Sequence, residues 1–253
     1  MMSSLQNCVL VVLTVIGSLL FMTGLNHVWS WEKRRDHNDV IGWQLSILGT
    51  TYAVILGFML FTVWTSFGAA DLNVDLEANA VVNIYRLSAG LPEPQRTQLQ
   101  ELALSYAEGA VTLDWPQMAR NQVPDHSVEI NASMWKTLMS VKTASPAELT
   151  AEDHALSELS ALTEHRRTRL LQSASRLPNI LWYVLLVGGT LTIVSSCTFG
   201  SASVALHGLQ VFAFSLLISL ALVAIADINR PFQGFVHVSD FAFQRALENM
   251  QAH

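Results

Sequence analysis

Polar side chains inside a long uncharged segment are the first residues that could do chemistry. The segment covers residues 41 to 67, and at about 100° per residue its polar members share one helix face with an aromatic ring. Polar groups that face lipid lack hydrogen-bonding partners, so this face should meet protein or water. The candidate pore-facing residues are Gln44, Thr51, Phe58, Thr62 and Ser66.

Two interpretations of this face stay open. The general one is an interhelical contact inside a bundle, which satisfies the polar groups without any transport. The specific one is a water-filled path in a homo-oligomer. In that case Phe58 forms a dry constriction between polar stretches, because hydrophobic constrictions gate by dewetting.

Small residues form stripes on two of the apolar segments and predict close helix packing. Helix association inside lipid depends on dispersion contacts, and small side chains let two backbones approach each other. A stripe with three- and four-residue spacing should therefore face another helix. The predicted helix-packing residues are Gly42, Ser46, Gly49, Ala53 and Gly57 in one segment, and Gly188, Thr192, Ser196 and Gly200 in another.

A charged pair stands at the end of the last apolar segment. Asp227 and Arg230 are i, i+3 neighbours and can pair at the membrane interface, where a lone charge is expensive. Pro231 follows and ends the helix. We therefore predict that these three residues form a structural clamp at the interface.

Catalytic and metal signatures are the next candidates. His154, Glu158 and His165 would share a helix face with spacing that metal sites use, but no fourth ligand is identifiable, which favours a solvated face. The sequence has no nucleophile elbow, Walker loop, HExxH motif or dinucleotide fingerprint. We expect no catalytic residue, no metal and no other cofactor, and therefore no enzyme.

Composition shows which elements must position these residues. The chain is 51% hydrophobic and only 13% charged, about half the charge of an ordinary soluble domain. Most charges lie between Asp71 and Arg176, with nearly uncharged stretches on either side, which is typical of bilayer segments flanking a soluble one. A net charge of −6 argues against nucleic acid as a partner.

Three uncharged stretches are long enough to cross a bilayer, whose hydrocarbon core needs roughly 20 apolar residues in a helix. They cover residues 8–25, 41–67 and 178–226. The third is too long for one span, and small residues at 199–203 allow a turn in its middle. We predict four transmembrane helices in two hairpins.

The region between the hairpins is predicted to be helical throughout. Apolar residues at helical spacing extend the second transmembrane helix until Gly90 and Pro92 stop it; they are Leu72, Leu76, Ala80, Ile84 and Leu87. Ser145 and Glu148 form a capping box that opens a helix running to about Ser175. No alternating β pattern appears, so the predicted class is all-α.

These observations give a domain plan and a topology. Residues 1–67 form the first transmembrane hairpin, 68–177 a helical extramembrane domain, 178–227 the second hairpin and 228–253 a C-terminal tail. Four spans place both termini and the central domain on one side. The basic residues 33–35 favour a cytoplasmic first loop, whereas the arginines that flank the second hairpin favour the opposite arrangement. We expect the termini and the central domain in the cytoplasm.

A set of dispersed motifs carries a family resemblance. The motifs are Tyr85-Arg86-Leu87, Gly90-Leu91-Pro92-Glu93-Pro94, Trp115-Pro116, Arg166-Arg167, Pro178 with Trp182, and Arg230-Pro231-Phe232 with Gly234. With them the chain resembles, from about Gly42 onward, a bacterial family of membrane proteins called bestrophin-like. The family usually has an acidic residue directly before the Arg-Pro-Phe motif, where this chain has Asn229.

The resemblance implies a location in the bacterial cytoplasmic membrane. Bestrophins are pentameric anion channels with four transmembrane helices per subunit, although their acidic calcium-binding run has no counterpart here. We therefore expect a homo-oligomeric ion channel or channel-like permeation protein in the lipid bilayer. The alternative is a non-transporting scaffold or sensor whose helical domain binds a partner protein.

Overall fold

The computed structural model describes residues 4 to 252, and side chains from Gln6 onward. Within that part every regular element is a helix. A π-helical turn covers Ala110–Asp114. The helices are α1 Ser4–Val28, α2 Trp31–Arg35, α3 Asn38–Ser88, α4 Gln95–Gly109, α5 Trp115–Ala119, α6 His126–Leu138, α7 Pro146–Ala174, α8 Asn179–Cys197, α9 Val204–Ile228 and α10 Phe241–Gln251.

Four of these helices are long and apolar enough to span a membrane. They are α1 from Gln6, α3, α8 and α9. The break between α8 and α9 falls at residues 198–203, where the small residues predicted a turn. The predicted all-α membrane fold with four transmembrane helices is therefore confirmed.

The described chain divides into two compact units. The first comprises the residues up to Thr65 together with Arg176–Asn229, and the second comprises Ser66–Ser175 together with the residues from Arg230 onward. Helix α3 contributes to both. The domain borders drawn from the sequence stay a prediction, and the first of them begins outside the described residues.

The first unit is built on three mutually packed apolar helices. α1 packs against α9 and α8, and α8 packs against α9. Two small clusters of buried side chains hold this unit, one around Met22, Cys197 and Val211 and one around Val63 and Leu185. Most other apolar side chains of the spans are exposed, as expected where lipid takes the place of a protein core.

Polar contacts close one end of this unit. The buried guanidinium of Arg34 donates from Nη1 to the carbonyl of Cys197 (2.9 Å) and from Nη2 to Asn26 Oδ1. Cys197 ends α8, so the cation lies at the negative end of that helix. The Asn38 amide donates to the Gly200 carbonyl and accepts from the Gly200 amide, both at 2.8 Å. Burial lowers the pKa of Arg34.

The second unit has a continuous core made by α4, α6, α7, α10 and the second half of α3. The predicted capping box is confirmed, because Ser145 Oγ accepts from the Glu148 amide at 3.2 Å. The Glu148 carboxylate accepts from the Ala144 amide at 2.6 Å, which engages a further free donor before the first turn.

The stripe that predicted the extension of α3 is only partly its buried face. Ala80 and Ile84 are buried, but Leu72 is 59% exposed and Leu76 is also exposed. The buried face includes Asn73 and Glu77 instead. The apolar periodicity therefore predicted the helix correctly. It did not predict the buried face at the start of the stripe, because Asn73 and Glu77 enter the core there in place of Leu72 and Leu76.

Candidate functional site

The candidate pore-facing residues lie together on the surface of the membrane part of α3. Gln44, Thr51, Thr62 and Ser66 are all exposed, and Phe58 is 65% exposed. This segment packs against the rest of its unit through another edge, where Tyr52 and Val63 are buried. The single chain therefore leaves the whole predicted face uncovered.

Part of this polar face satisfies its hydrogen bonds inside the helix. Thr62 Oγ1 donates to the Phe58 carbonyl at 2.8 Å, and Thr65 Oγ1 donates to the Phe61 carbonyl at 3.0 Å. Such i−4 bonds let threonine sit in an apolar medium without an external partner. Among the described residues, the side chains of Gln44 and Thr51 make no hydrogen bond.

Most of the small stripe on α3 also has no neighbour within the described chain. Ser46, Ala53 and Gly57 are exposed, and a Cβ added at Gly49 or Gly57 would meet nothing within 4 Å. Gly42 is in ordinary contact with Phe199 at 3.8 Å. A packing role for the stripe needs a helix from outside this chain, and it stays a prediction.

The small stripe on α8 lies at contacts within the unit. A Cβ at Gly188 would stand 2.6 Å from Cδ2 of Tyr52, whose hydroxyl donates to the Leu185 carbonyl at 2.9 Å. Thr192 and Ser196 are buried, and Gly200 abuts the backbone of α2. These residues let α3 and the α8–α9 turn approach their neighbours closely.

The second unit contains a fully buried charge cluster. Arg169 donates from Nε to Glu77 Oε2 (2.8 Å) and from Nη2 to Asp114 Oδ2 (2.8 Å) and Glu77 Oε1 (3.1 Å). The three side chains are 0% exposed. Tyr106 adds a donor, because its hydroxyl lies 2.6 Å from Glu77 Oε1. Two carboxylates therefore share one guanidinium in the core.

Electrostatics holds Arg169 protonated and the Tyr106 hydroxyl neutral. Burial alone would lower the pKa of Arg169, but the negative charges of Glu77 and Asp114 outweigh it and raise that pKa. Burial and the charge of Glu77 raise the pKa of Tyr106 well above its ordinary value, so its hydroxyl stays a donor. The Trp115 ring centroid lies 5.2 Å from Arg169 Cζ and adds a cation–π contact.

Two of the dispersed sequence motifs meet in this same core. Phe232 packs edge-on against Trp115, with ring centroids 5.8 Å apart. Gln233 donates from Nε2 to the Met118 carbonyl at 3.1 Å. Gly234 has φ 89°, in the left-handed region that favours glycine, so the chain can turn directly after these anchors.

The remaining predicted residues have mixed surroundings. Asn229, which replaces the usual acid, accepts from the Leu177 amide at 3.1 Å. The clamp of Asp227, Arg230 and Pro231 stays a prediction. His165, from the rejected metal constellation, has its Nδ1 2.9 Å from Asn73 Oδ1.

The comparisons with known proteins decide the family. A family model described as the Bestrophin-like domain matches residues 12–243. The chain belongs to the Bestrophin-like domain family. No curated protein matches it.

Two solved structures have a similar fold to this bestrophin-like chain, and both are crystal structures of membrane proteins. The first has a TM-score of 0.69 and 11% identity, covering 96% of this chain and 97% of that one. The second has a TM-score of 0.61 and 13% identity, covering 94% and 96%. The fold is therefore that of an integral membrane protein, in keeping with the four apolar helices.

The sequence did not predict the buried charge cluster in the second unit of this bestrophin-like chain. Arg169 entered the sequence argument only as one basic residue beside the second hairpin. A local signal did exist, because Glu77 occupies a place in a buried stripe with four- and three-residue spacing. That stripe is Ala70, Val74, Glu77, Val81 and Ile84.

Proposed function

We propose that this protein is a homo-oligomeric ion channel whose path is lined by the exposed face of α3. The observation that carries the proposal is the attachment of the membrane part of α3, which packs on its own unit along one edge only. Its polar face and most of its small-residue stripe are left uncovered. Other copies of the chain can cover the stripe, while the polar face lines a central path.

The energetic argument favours protein and water over lipid around this helix. Gln44 and Thr51 have no hydrogen-bonding partner within the described chain, and a polar group left unsatisfied in hydrocarbon costs several kcal/mol. Open space at Gly49 and Gly57 allows the backbone of a neighbouring copy to approach. An assembly around α3 supplies partners for both features.

Phe58 is the proposed constriction of the path. It lies seven residues after Thr51 and four before Thr62, so about 10 Å and 6 Å of helix separate the ring from polar side chains. An apolar ring between polar stretches excludes water from a narrow path and blocks ions until it moves.

The proposal extends to location and chemistry. We place the channel in the bacterial cytoplasmic membrane, with both termini and the extramembrane unit on the cytoplasmic side, and assign it no catalytic step. The support is the family membership together with the four apolar helices.

Phe58→Ser should raise ion flux through proteoliposomes several-fold, because a hydroxyl at the constriction holds water there. Thr51→Cys should react with a small water-soluble thiol reagent. Phe61→Ser is the matched control, since Phe61 is exposed to the same 65% but lies about 60° away around the helix, between the polar face and the small-residue stripe. It should leave flux unchanged.

Oligomeric mass in mild detergent provides a separate check. A ring of several copies is expected, and a folded monomer would contradict the channel. Silent liposomes from both wild type and Phe58→Ser, with the protein shown to be folded and assembled, would instead favour the non-transporting scaffold whose extramembrane unit binds a partner protein.

A further inference from the structure

A groove in the extramembrane unit lies between the second half of α3 and α10. Its volume is about 230 Å³. Ala78, Val82 and Ala246 are buried beneath it, and its exposed rim is polar on both helices. The rim residues are Asp75, Asn79, Arg86, Arg245 and Asn249.

Two arginines of the rim have guanidinium N–H donors without a partner in the described part of the chain. Among the described residues, neither the Arg86 nor the Arg245 guanidinium makes an ion pair or a hydrogen bond. The guanidinium of Arg245 lies over the Phe241 ring, with Cζ 5.8 Å from the centroid. That contact is made by the face of the guanidinium and leaves its N–H donors available.

Three other arginines of this unit have their guanidiniums engaged with the chain. Arg169 is shared between two carboxylates, and Arg166 donates to Ser127 Oγ at 3.0 Å. Arg96 donates twice to the Leu91 carbonyl. The two groove arginines are therefore left with their donors free, on a chain whose net charge is −6.

We infer that this groove is a binding site for a small oxyanion, of the phosphate or carboxylate class. A guanidinium presents N–H donors in a planar fork that matches two oxygens of such a group, and charge-assisted bonds of this kind are the strong ones. Asn79 and Asn249 add amide donors on the two sides of the same groove. The rim thus carries two cations and one acid, Asp75, and has a net positive charge.

The size and charge of the groove restrict the class of ligand further. Pockets for drug-sized ligands usually measure about 300–1,000 Å³, so a groove of about 230 Å³ suits a phosphate or a short dicarboxylate better than a nucleotide. The carboxylate of Asp75 opposes each additional negative charge on the ligand. Because the arginines come from α3 and α10, the site exists only when the unit is folded.

The test uses the full chain in lipid-free detergent, with inorganic phosphate and succinate as probes. Sodium chloride at equal ionic strength is the reference. Binding to the folded state should raise the midpoint of thermal unfolding saturably, beyond the chloride effect. Arg86→Ala and Arg245→Ala should each weaken the apparent affinity at least tenfold, and Asp75→Asn should strengthen it.

Arg167→Ala is the control, because Arg167 is 71% exposed in the same unit and pairs with Glu164 away from the groove. The apparent affinity of the Arg167→Ala variant for phosphate and succinate should equal that of the wild type. All five rim side chains are exposed, so variants at these positions should fold. Their unfolding midpoints without ligand will show this. The assay requires no ion flux, so its result is independent of the channel proposal.

A lipid headgroup offers the same phosphate chemistry as a soluble anion. Repeating the titration with micelles containing phosphatidylglycerol separates the two sources: saturation by free phosphate assigns a soluble ligand, and a response confined to the doped micelles assigns a headgroup. The inference is overturned if the wild type responds to no probe beyond chloride. It is equally overturned if the Arg86→Ala/Arg245→Ala double variant responds like the wild type.

Discussion

Replacing Arg169 by methionine is expected to destabilise the second unit by about 3–5 kcal/mol, because two buried carboxylates lose the cation that they share. Glu77 and Asp114 are 0% exposed, so water cannot replace the lost charge. Hydrogen exchange of the α7 amides in the full chain measures the opening free energy of this unit alone. Protection of these amides should fall by two to four orders of magnitude.

Arg167→Met is the matched control for this experiment. Arg167 lies two residues away on the same helix, and its 3.7 Å ion pair with Glu164 is largely exposed. Such pairs contribute about 0–1 kcal/mol, so protection should change by less than tenfold. Asp114→Asn should also cost much less than Arg169→Met, since Glu77 still balances the arginine. Equal losses in Arg169→Met and Arg167→Met would contradict a structural role for the buried cluster.

Gly200→Ala is expected to destabilise the first unit by about 1–3 kcal/mol through overpacking. The new Cβ would stand 2.7 Å from the Trp31 carbonyl oxygen and 2.8 Å from the Arg34 carbonyl carbon. Both are backbone atoms, so neither can turn aside as a side chain would. The two Asn38 hydrogen bonds at Gly200 would be distorted as well. The measurement is thermal unfolding in detergent, together with the yield of monodisperse protein.

Gly42→Ala provides the comparison, because the added methyl would meet Phe199 at an ordinary 3.8 Å. Within a helix, alanine is favoured over glycine by roughly 0.5–1 kcal/mol, so this variant should be neutral or slightly more stable. Gly200→Ala behaving like Gly42→Ala would show that the α8–α9 turn can move away from α2.

The helices could be predicted because their signals are local. Uncharged stretches identify the spans, and the capping box at Ser145 identifies the start of α7, since each depends on residues a few positions apart. The α3 stripe succeeded for the same reason in predicting a helix. Its buried side was harder to predict, because which face enters a core depends on distant partners.

Those distant partners account for what the sequence could not reveal. Glu77 and Arg169 are separated by 92 positions, and no local pattern links them or predicts that both lie in the core. The polar face of α3 could be identified from the sequence. Its composition of apolar and polar residues does not tell whether it lines water or contacts lipid. Arg86 entered the sequence argument as part of a family motif, and Arg245 only as one of the arginines that flank the second hairpin.

The position of the C-terminal segment in the second unit has a consequence for biosynthesis. Phe232, Val238, Phe243 and Met250 fill the core that α4 to α7 begin. A ribosome produces this segment only after α8 and α9, so the core stays incomplete while the second hairpin enters the membrane. Domains whose segments are contiguous can fold during synthesis. Here the second unit completes its fold only after the second hairpin has been synthesised, and a nascent chain stalled at Asn229 would expose the sites for these side chains to chaperones and proteases.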